Sequence, residues 1–326
     1  MITCLAGGVG AARLLVGMQE AYDRDEINVI VNTGDDTEMF GLTICPDIDT
    51  IIYTLSGNSN AKTGWGLKDE TWNVLERLDQ LGGSTWFSLG DKDLATHLFR
   101  TELLTQGQTL SQVTQLLASR FGLKVKILPM SDDRVRTLLR VDPFEVQKQL
   151  GENFSTFLKG DYISFQEYFV RLKHSIAIKS VRFDGAQMAR PAPGVLGALK
   201  HSSTIVICPS NPIVSIGPIL AISPIVDILK ANRHKTVAIS PIVNGTALKG
   251  PADRMMIELG HEPSVVGVAR IYREYCDTLI IDNSDRRYIS QVEELGIRCL
   301  ATDTIMSSLD KSVELCNYLL KNAITE

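Results

Sequence analysis

Apolar residues along the chain gather in short, nearly unbroken runs: "ITCLA" (2–6), "INVIV" (27–31), "KVKIL" (124–128), "STIVIC" (203–208), "TVAIS" (236–240), "TLIID" (278–282) and "IRCLA" (297–301). Each closes on turn-forming residues. Segments 11–21, 218–231, 251–259 and 287–295 lie between them and are long enough for helices. Buried strands alternating with helical lengths predict an α/β fold, a mostly parallel sheet with helices on both faces.

Two stretches break this rhythm. Residues 60–122 contain "DETWNVLERLDQLG" and "DLATHLFRTELLTQGQTLSQVTQLLASRFG", both helical in period with no strand between them, so a helical excursion is expected to cover one end of the sheet. Residues 130–195 read as an irregular insertion, with a helix expected at "FQEYFVRLKH" and a strand at "IKSVRFDG". No repeat, low-complexity tract or Ser/Gly-rich linker divides the chain, and one α/β domain, 1–326, is expected.

Composition narrows the function classes. A formal net charge of −5 with 22% charged residues gives no general footprint for nucleic acid or an anionic membrane, so phosphate recognition must be local. The longest apolar stretch, "IVSIGPILAISPIVDIL", is broken by Pro218 and Pro224, so no membrane span is expected. "MITCLAGG" has neither a basic n-region nor an apolar leader core. The six cysteines are far apart, without metal-ligand spacing, and several sit in strand-like runs, which fits a reducing cytoplasm.

Four places carry candidate chemistry. Gly7, Gly8 and Gly10 join the first strand to a helix, where free N–H groups favour an anion; a merely tight turn is the competing reading. Arg13 stands where a dinucleotide fingerprint needs its third glycine, and Asn32 where it needs an acid, so a nicotinamide cofactor is disfavoured. Asn32, Asp35 and Asp36 end the second strand, and Asp47 and Asp49 follow closely. Carboxylates beside a phosphate-binding turn repel the substrate unless a hard cation such as Mg²⁺ stands between them, although turn and helix-cap roles account for any single aspartate. Ser210, Asn211 and Ser215 follow the strand "STIVIC", and Lys249 precedes a helix start; together with the glycine turn these suggest a nucleotide diphosphate site. Asp93, His97 and Arg100 share a helix face, as metal ligands, a base with its orienter, or a solvated ion-pair face behind an Asp91 cap.

In order from residue 2 to 285, "GGVGAARLL", "VNTGDD", "ICPDIDTIIYTLSG", "GWG…ETW", "WFSLGDKDLATHLFRT", "FQEYFVR", "CPSNPIVSIGPIL" and "SPIVNGTALKGPADRMM" resemble the 2-phospho-L-lactate transferase family, of CofD type, which acts in making the deazaflavin coenzyme F420. The resemblance implies a Rossmann-like core with an added helical subdomain, a homodimer, and Mg²⁺-dependent transfer. The ribityl hydroxyl of the deazaflavin Fo would attack the phosphorus of a guanosine-diphosphate-activated phospholactate or phosphoenolpyruvate, releasing GMP. Asp49 and Asp36 would be the catalytic and metal aspartates, with Asp47 and Asp35 in support. Asp49, Asn32, Ser88, Gly90 and Asp91 would contact the deazaflavin. Gly7, Gly8, Gly10, Ser210, Asn211 and Lys249 would take the nucleotide. Two departures stand out: Ala11 and Arg13 replace the family's frequent glycine and lysine, and Ser88 replaces a longer basic side chain. The rival class is a non-catalytic, nucleotide-sugar-binding regulator of the YvcK type, which shares the glycine turn but has a different segment in place of the acidic one.

Overall fold

The computed structural model describes residues 1–60, 64–151 and 160–322. All seven apolar runs form one parallel sheet: β1 (Ile2–Ala6), β2 (Ile27–Val31), β3 (Lys126–Pro129), β4 (Thr204–Ile207), β5 (Thr236–Ile239), β6 (Thr278–Asp282) and β7 (Arg298–Thr302). Their order across the sheet is β7-β6-β5-β4-β1-β2-β3. The chain winds outward one way from β1 through β2 and β3, then the other way from β4. This is the Rossmann-like arrangement, and the reversal between β1 and β4 opens a crevice at the carboxyl edge.

Successive strand residues point to opposite faces, and each face has its own core. Ile2, Cys4 and Ala6 of β1 join Val29 and Val31 of β2 against α1 (Gly8–Ala21), α2 (Pro46–Leu55) and the helix Leu309–Asn322. Leu5, Ile30, Ile207 and Ile281 pack the other face against the helices Val195–His201, Ser223–Ala231 and Val265–Tyr272. Six free cysteines are all buried in these layers as small apolar groups. Among the described residues no helix is long and apolar enough to cross a membrane.

Boundaries differ from the sequence expectation in understandable places. The helix expected over 218–231 is two, Gly217–Leu220 and Ser223–Ala231, because Pro224 supplies the second helix with its own start. The helical excursion holds α3 (Asn73–Gln80), α4 (Asp91–Thr105) and α5 (Leu110–Arg120). The insertion is more regular than its sequence suggests. Arg136–Val141 is the central strand of an antiparallel sheet between Tyr162–Ser164 and Ile178–Asp184, over a small core of Leu139, Ile163, Tyr168 and Ile178. The helix expected at "FQEYFVRLKH" contains one π-type turn, Glu167–Arg171.

Candidate active site

Residues 32–49 build the crevice by folding back on themselves. Thr37–Met39 pairs antiparallel with Leu42–Ile44, and Thr37 lies opposite Ile44. Phe40 (φ 54) and Gly41 (φ 74) both take left-handed backbone, as a two-residue hairpin turn matching the strand twist requires. The hairpin therefore sets Asp36 beside Cys45, so that the two acidic pairs, far apart in an extended chain, share one pocket. Pro46 then opens α2, with Asp47 and Asp49 in its electropositive first turn.

Asp35, Asp36, Asp47 and Asp49 are all buried, as is Asn32. The Asn32 amide Nδ2 donates to Asp35 Oδ2 (3.1 Å) and Asp47 Oδ2 (2.9 Å), while its Oδ1 accepts from the Gly34 N–H at 2.7 Å. Burial, then the neighbouring Asp47, pushes Asp35 well above the usual carboxylate range. Burial raises Asp36 to about 7 against the pull of Arg136 and Cys45, and raises Asp47 to about 6 against bonds from Asn32 and the Gly8 N–H. Among the described residues neither Asp35 Oδ1 nor Asp36 Oδ1 has a hydrogen-bond partner. A buried carboxylate oxygen without a donor is costly, and a hard cation supplies what is missing.

The glycine turn serves packing first. A side chain at Gly10 would meet the Pro209 carbonyl oxygen at 2.2 Å, and one at Gly7 would meet Ser215 Cβ at 2.8 Å and Asp47 Oδ2 at 2.9 Å. The absent side chains thus let the loop after β4 close against the loop after β1. The Gly8 N–H at the mouth of α1 donates to Asp47 Oδ1 (2.9 Å), so a carboxylate of the chain itself fills the anion position there. Ser210, in that second loop, is buried, and its Oγ has no partner among the described residues. Asn211 turns inward to cap its own loop, accepting from the Ile213 N–H at 2.9 Å. Lys249 is exposed and lies by Gly64, its Nζ 3.0 Å from where a side chain there would start; Val9 Cγ1 of the glycine turn is 3.8 Å from the same point.

Asp49 is clamped by a residue from far along the chain. Both of its oxygens accept from the Arg100 guanidinium, Oδ2 at 3.1 Å from Nη1 and Oδ1 in the closer bond to Nη2. Arg100 is fully buried and also meets His97 Nδ1 at 3.1 Å and the Thr43 carbonyl at 3.3 Å. His97 Nε2 lies 3.3 Å from Asp93 Oδ1, which accepts from the Tyr53 hydroxyl at 2.7 Å. Burial works to raise Asp93, but the adjacent His97 and the bond from the Tyr53 hydroxyl hold it below the usual range. Of the readings open for Asp93, His97 and Arg100, a solvated face is excluded: α2 and α4 meet along a buried polar seam.

Ser88, Gly90 and Asp91 lie at the start of α4. Gly90 makes room for Glu70, which would stand 1.8 Å from a side chain there and caps α4 by accepting from the Lys92 N–H at 2.7 Å. Asp91 in turn caps α3, accepting from the Val74 N–H (3.0 Å), the Asn73 N–H (3.1 Å) and the Thr71 hydroxyl (2.6 Å). Those bonds, the Thr71 hydroxyl foremost, lower its carboxyl to about 2. Ser88 is half-buried beside this reciprocal bracket.

Sequence reasoning missed the contribution of the insertion. The Thr137 N–H donates to the Gly34 carbonyl at 2.7 Å, and Gln166 Nε2 donates to the Asp35 carbonyl at 3.2 Å, bracing the acidic turn from outside. Half-buried Arg136 adds a positive charge near Asp36. Nothing in their local sequence signals this, because the contacts exist only once the antiparallel sheet has formed.

The family profile described as "2-phospho-L-lactate transferase CofD" matches residues 2–317. A phosphoenolpyruvate transferase of Kitasatospora aureofaciens is 40% identical over 322 residues, covering 98% of this chain and 96% of that protein. A 2-phospho-L-lactate transferase of Methanocaldococcus jannaschii is 36% identical over 323 residues, covering 98% and 97%. In fold, the chain is similar to a UPF0052-family protein of Bacillus halodurans, with a TM-score of 0.63, 13% identity and 98% of each chain covered. A profile spanning the sheet, the acidic hairpin and the α4 seam places the chain in the 2-phospho-L-lactate transferase CofD family.

Proposed function

We propose that the protein transfers a phospholactyl or phosphoenolpyruvyl group from a guanosine-diphosphate-activated donor to the ribityl hydroxyl of the deazaflavin Fo, releasing GMP. The hydroxyl oxygen forms a bond to the phosphorus that carries the three-carbon acid. The bond from that phosphorus to the bridging oxygen breaks, and GMP leaves with the electron pair. Such a reaction needs in-line placement and charge neutralisation more than covalent help. Full-length similarity to proteins named for phosphoenolpyruvate and 2-phospho-L-lactate transfer supports the reading.

The observation that carries the chemistry is the set of four buried carboxylates at the sheet's switch point, two of them with an open oxygen. The open Asp36 oxygen fits Mg²⁺; Asp36 would hold the ion together with Asp49, whose oxygens Arg100 now occupies, with Asp35 and Asp47 in support. When bound, the ion would neutralise phosphate charge beside the acids. One of these carboxylates would also orient the attacking hydroxyl or receive its proton. The Ser210 hydroxyl and the Lys249 ammonium would take the nucleotide end beside the Gly7–Gly10 turn, whose Gly8 N–H Asp47 occupies, and the segment Ser88–Asp91 the deazaflavin side. The protein acts in the cytoplasm as a homodimer.

Asp36→Asn tests this directly. It keeps the shape of a carboxyl that already favours its neutral form, so a folded protein is expected, with transfer reduced at least about a hundredfold. Purified protein with Fo, Mg²⁺ and each activated donor would be followed by GMP release. Undiminished turnover in the variant removes Asp36 from the chemistry. Nucleotide binding by the wild type with no GMP release from either donor would favour the regulator class.

A further inference from the structure

The proposed reaction uses Asp49 but gives no task to the rest of the α2–α4 seam, where Tyr53, Asp93, His97 and Arg100 are buried together. Asp49 and Tyr53 lie one turn apart on α2; Asp93, His97 and Arg100 line the facing side of α4. Such a seam is a poor way to stabilise a fold, since well-packed apolar side chains of similar volume serve as well or better. Two details bear on its purpose. Arg100 covers both oxygens of the aspartate expected to face the cation. Yet Arg100 Nε, fully buried, has no partner among the described residues, so the guanidinium is held through its two Nη groups alone.

We infer that Arg100 is a tethered counter-ion, occupying Asp49 while the pocket is empty and yielding part of that carboxylate to a divalent cation when one enters. The inference rests on the reading of the crevice as a cation-dependent transfer site. An ion and a guanidinium cannot both draw fully on two oxygens, so each weakens the other's hold. His97 and the Thr43 carbonyl, already in contact with Nη1, keep the displaced guanidinium from leaving the seam. His97 Nε2 lies 3.3 Å from Asp93 Oδ1, which the Tyr53 hydroxyl holds in place. Arg100 is a positioning residue in this account: it aims Asp49 and sets how tightly the cation is held, without touching substrate.

The test is metal binding, read without turnover. Titration of metal-free protein with Mn²⁺, followed by loss of the free-ion electron paramagnetic resonance signal, gives the affinity, and Mg²⁺ competition extends it. Arg100→Gln is expected to bind Mn²⁺ about tenfold more tightly, the order for removing one like charge a few ångströms from an ion after screening. A merely structural arginine predicts the opposite sign, because a disordered pocket binds less well. The wild type supplies a second reading that does not depend on the variant folding. In protein labelled with ¹⁵N-arginine, the Arg100 guanidinium resonance, identified by its absence in Arg100→Lys, is expected to shift as Mg²⁺ is added. Unchanged or weaker Mn²⁺ binding by a folded Arg100→Gln, or an Arg100 resonance indifferent to saturating Mg²⁺, overturns the inference. A wild type that captures no Mn²⁺ at all overturns the cation reading of the crevice itself.

Discussion

Asn32 shows how a single amide organises a pocket of acids. Its two donors and one acceptor are all used, on Asp35, Asp47 and the Gly34 N–H. Asn32→Asp removes the donors and adds a fifth carboxyl, so a loss of about 3–5 kcal/mol in folding free energy is expected, measured by denaturant unfolding without divalent cations. Gly10 is a second such point. Gly10→Ala drives a methyl into the Pro209 carbonyl, a backbone atom with little freedom to move, and is expected to cost about 1–3 kcal/mol in the same assay. At this scale the acids themselves were legible in the sequence, because the four aspartates lie within one short segment. Their clamp was not. Arg100 reaches Asp49 across a separation of 51 residues, and its spacing with Asp93 and His97 is equally that of a solvated helix face.

Among the elements, the parallel strands were the easiest to read, since a strand covered on both faces leaves a continuous apolar run. The strand Ile178–Asp184 was expected from its sequence, but the hairpin at 37–44 and the other two strands of the antiparallel insertion were hidden for the converse reason. They are short, partly exposed and mixed in polarity, so no apolar run marks them. The hairpin turn offers a direct check of its role. Phe40 is 49% exposed and adopts left-handed backbone that asparagine tolerates better. Phe40→Asn is expected to raise stability by a few tenths to about 1 kcal/mol with transfer intact, whereas Gly41→Val is expected to lower both. Stability and GMP release moving apart in Gly41→Val would show that the hairpin does not set the acid pocket.

Across the whole molecule, stability should depend on pH through the same pocket. Burial lifts the Asp36 carboxyl from its ordinary 3.8 to about 7, and Asp47 the same way to about 6. Raised carboxyls mean that the folded state holds more protons than the unfolded one between these limits. Their stabilising contribution is therefore complete below about pH 4 and lost as pH rises through 6 to 7. Chelator-treated protein is expected to unfold at progressively lower denaturant concentration over that window. Added Mg²⁺ should flatten the trend by giving the ionised acids a counter-charge; a profile rising from pH 5 to 8 without metal would contradict the burial of those carboxyls.

The hairpin also bears on the order in which the pocket comes together. Only the eight residues Thr37 to Ile44 separate Asp36 from Cys45, and a local β-hairpin forms in roughly 1–10 μs. Arg100 must be carried in on a helix from a later part of the chain, after a slower search. During folding, then, the aspartates meet as an unneutralised group before the guanidinium arrives, and ions from the surrounding solution are the nearest source of positive charge in that interval.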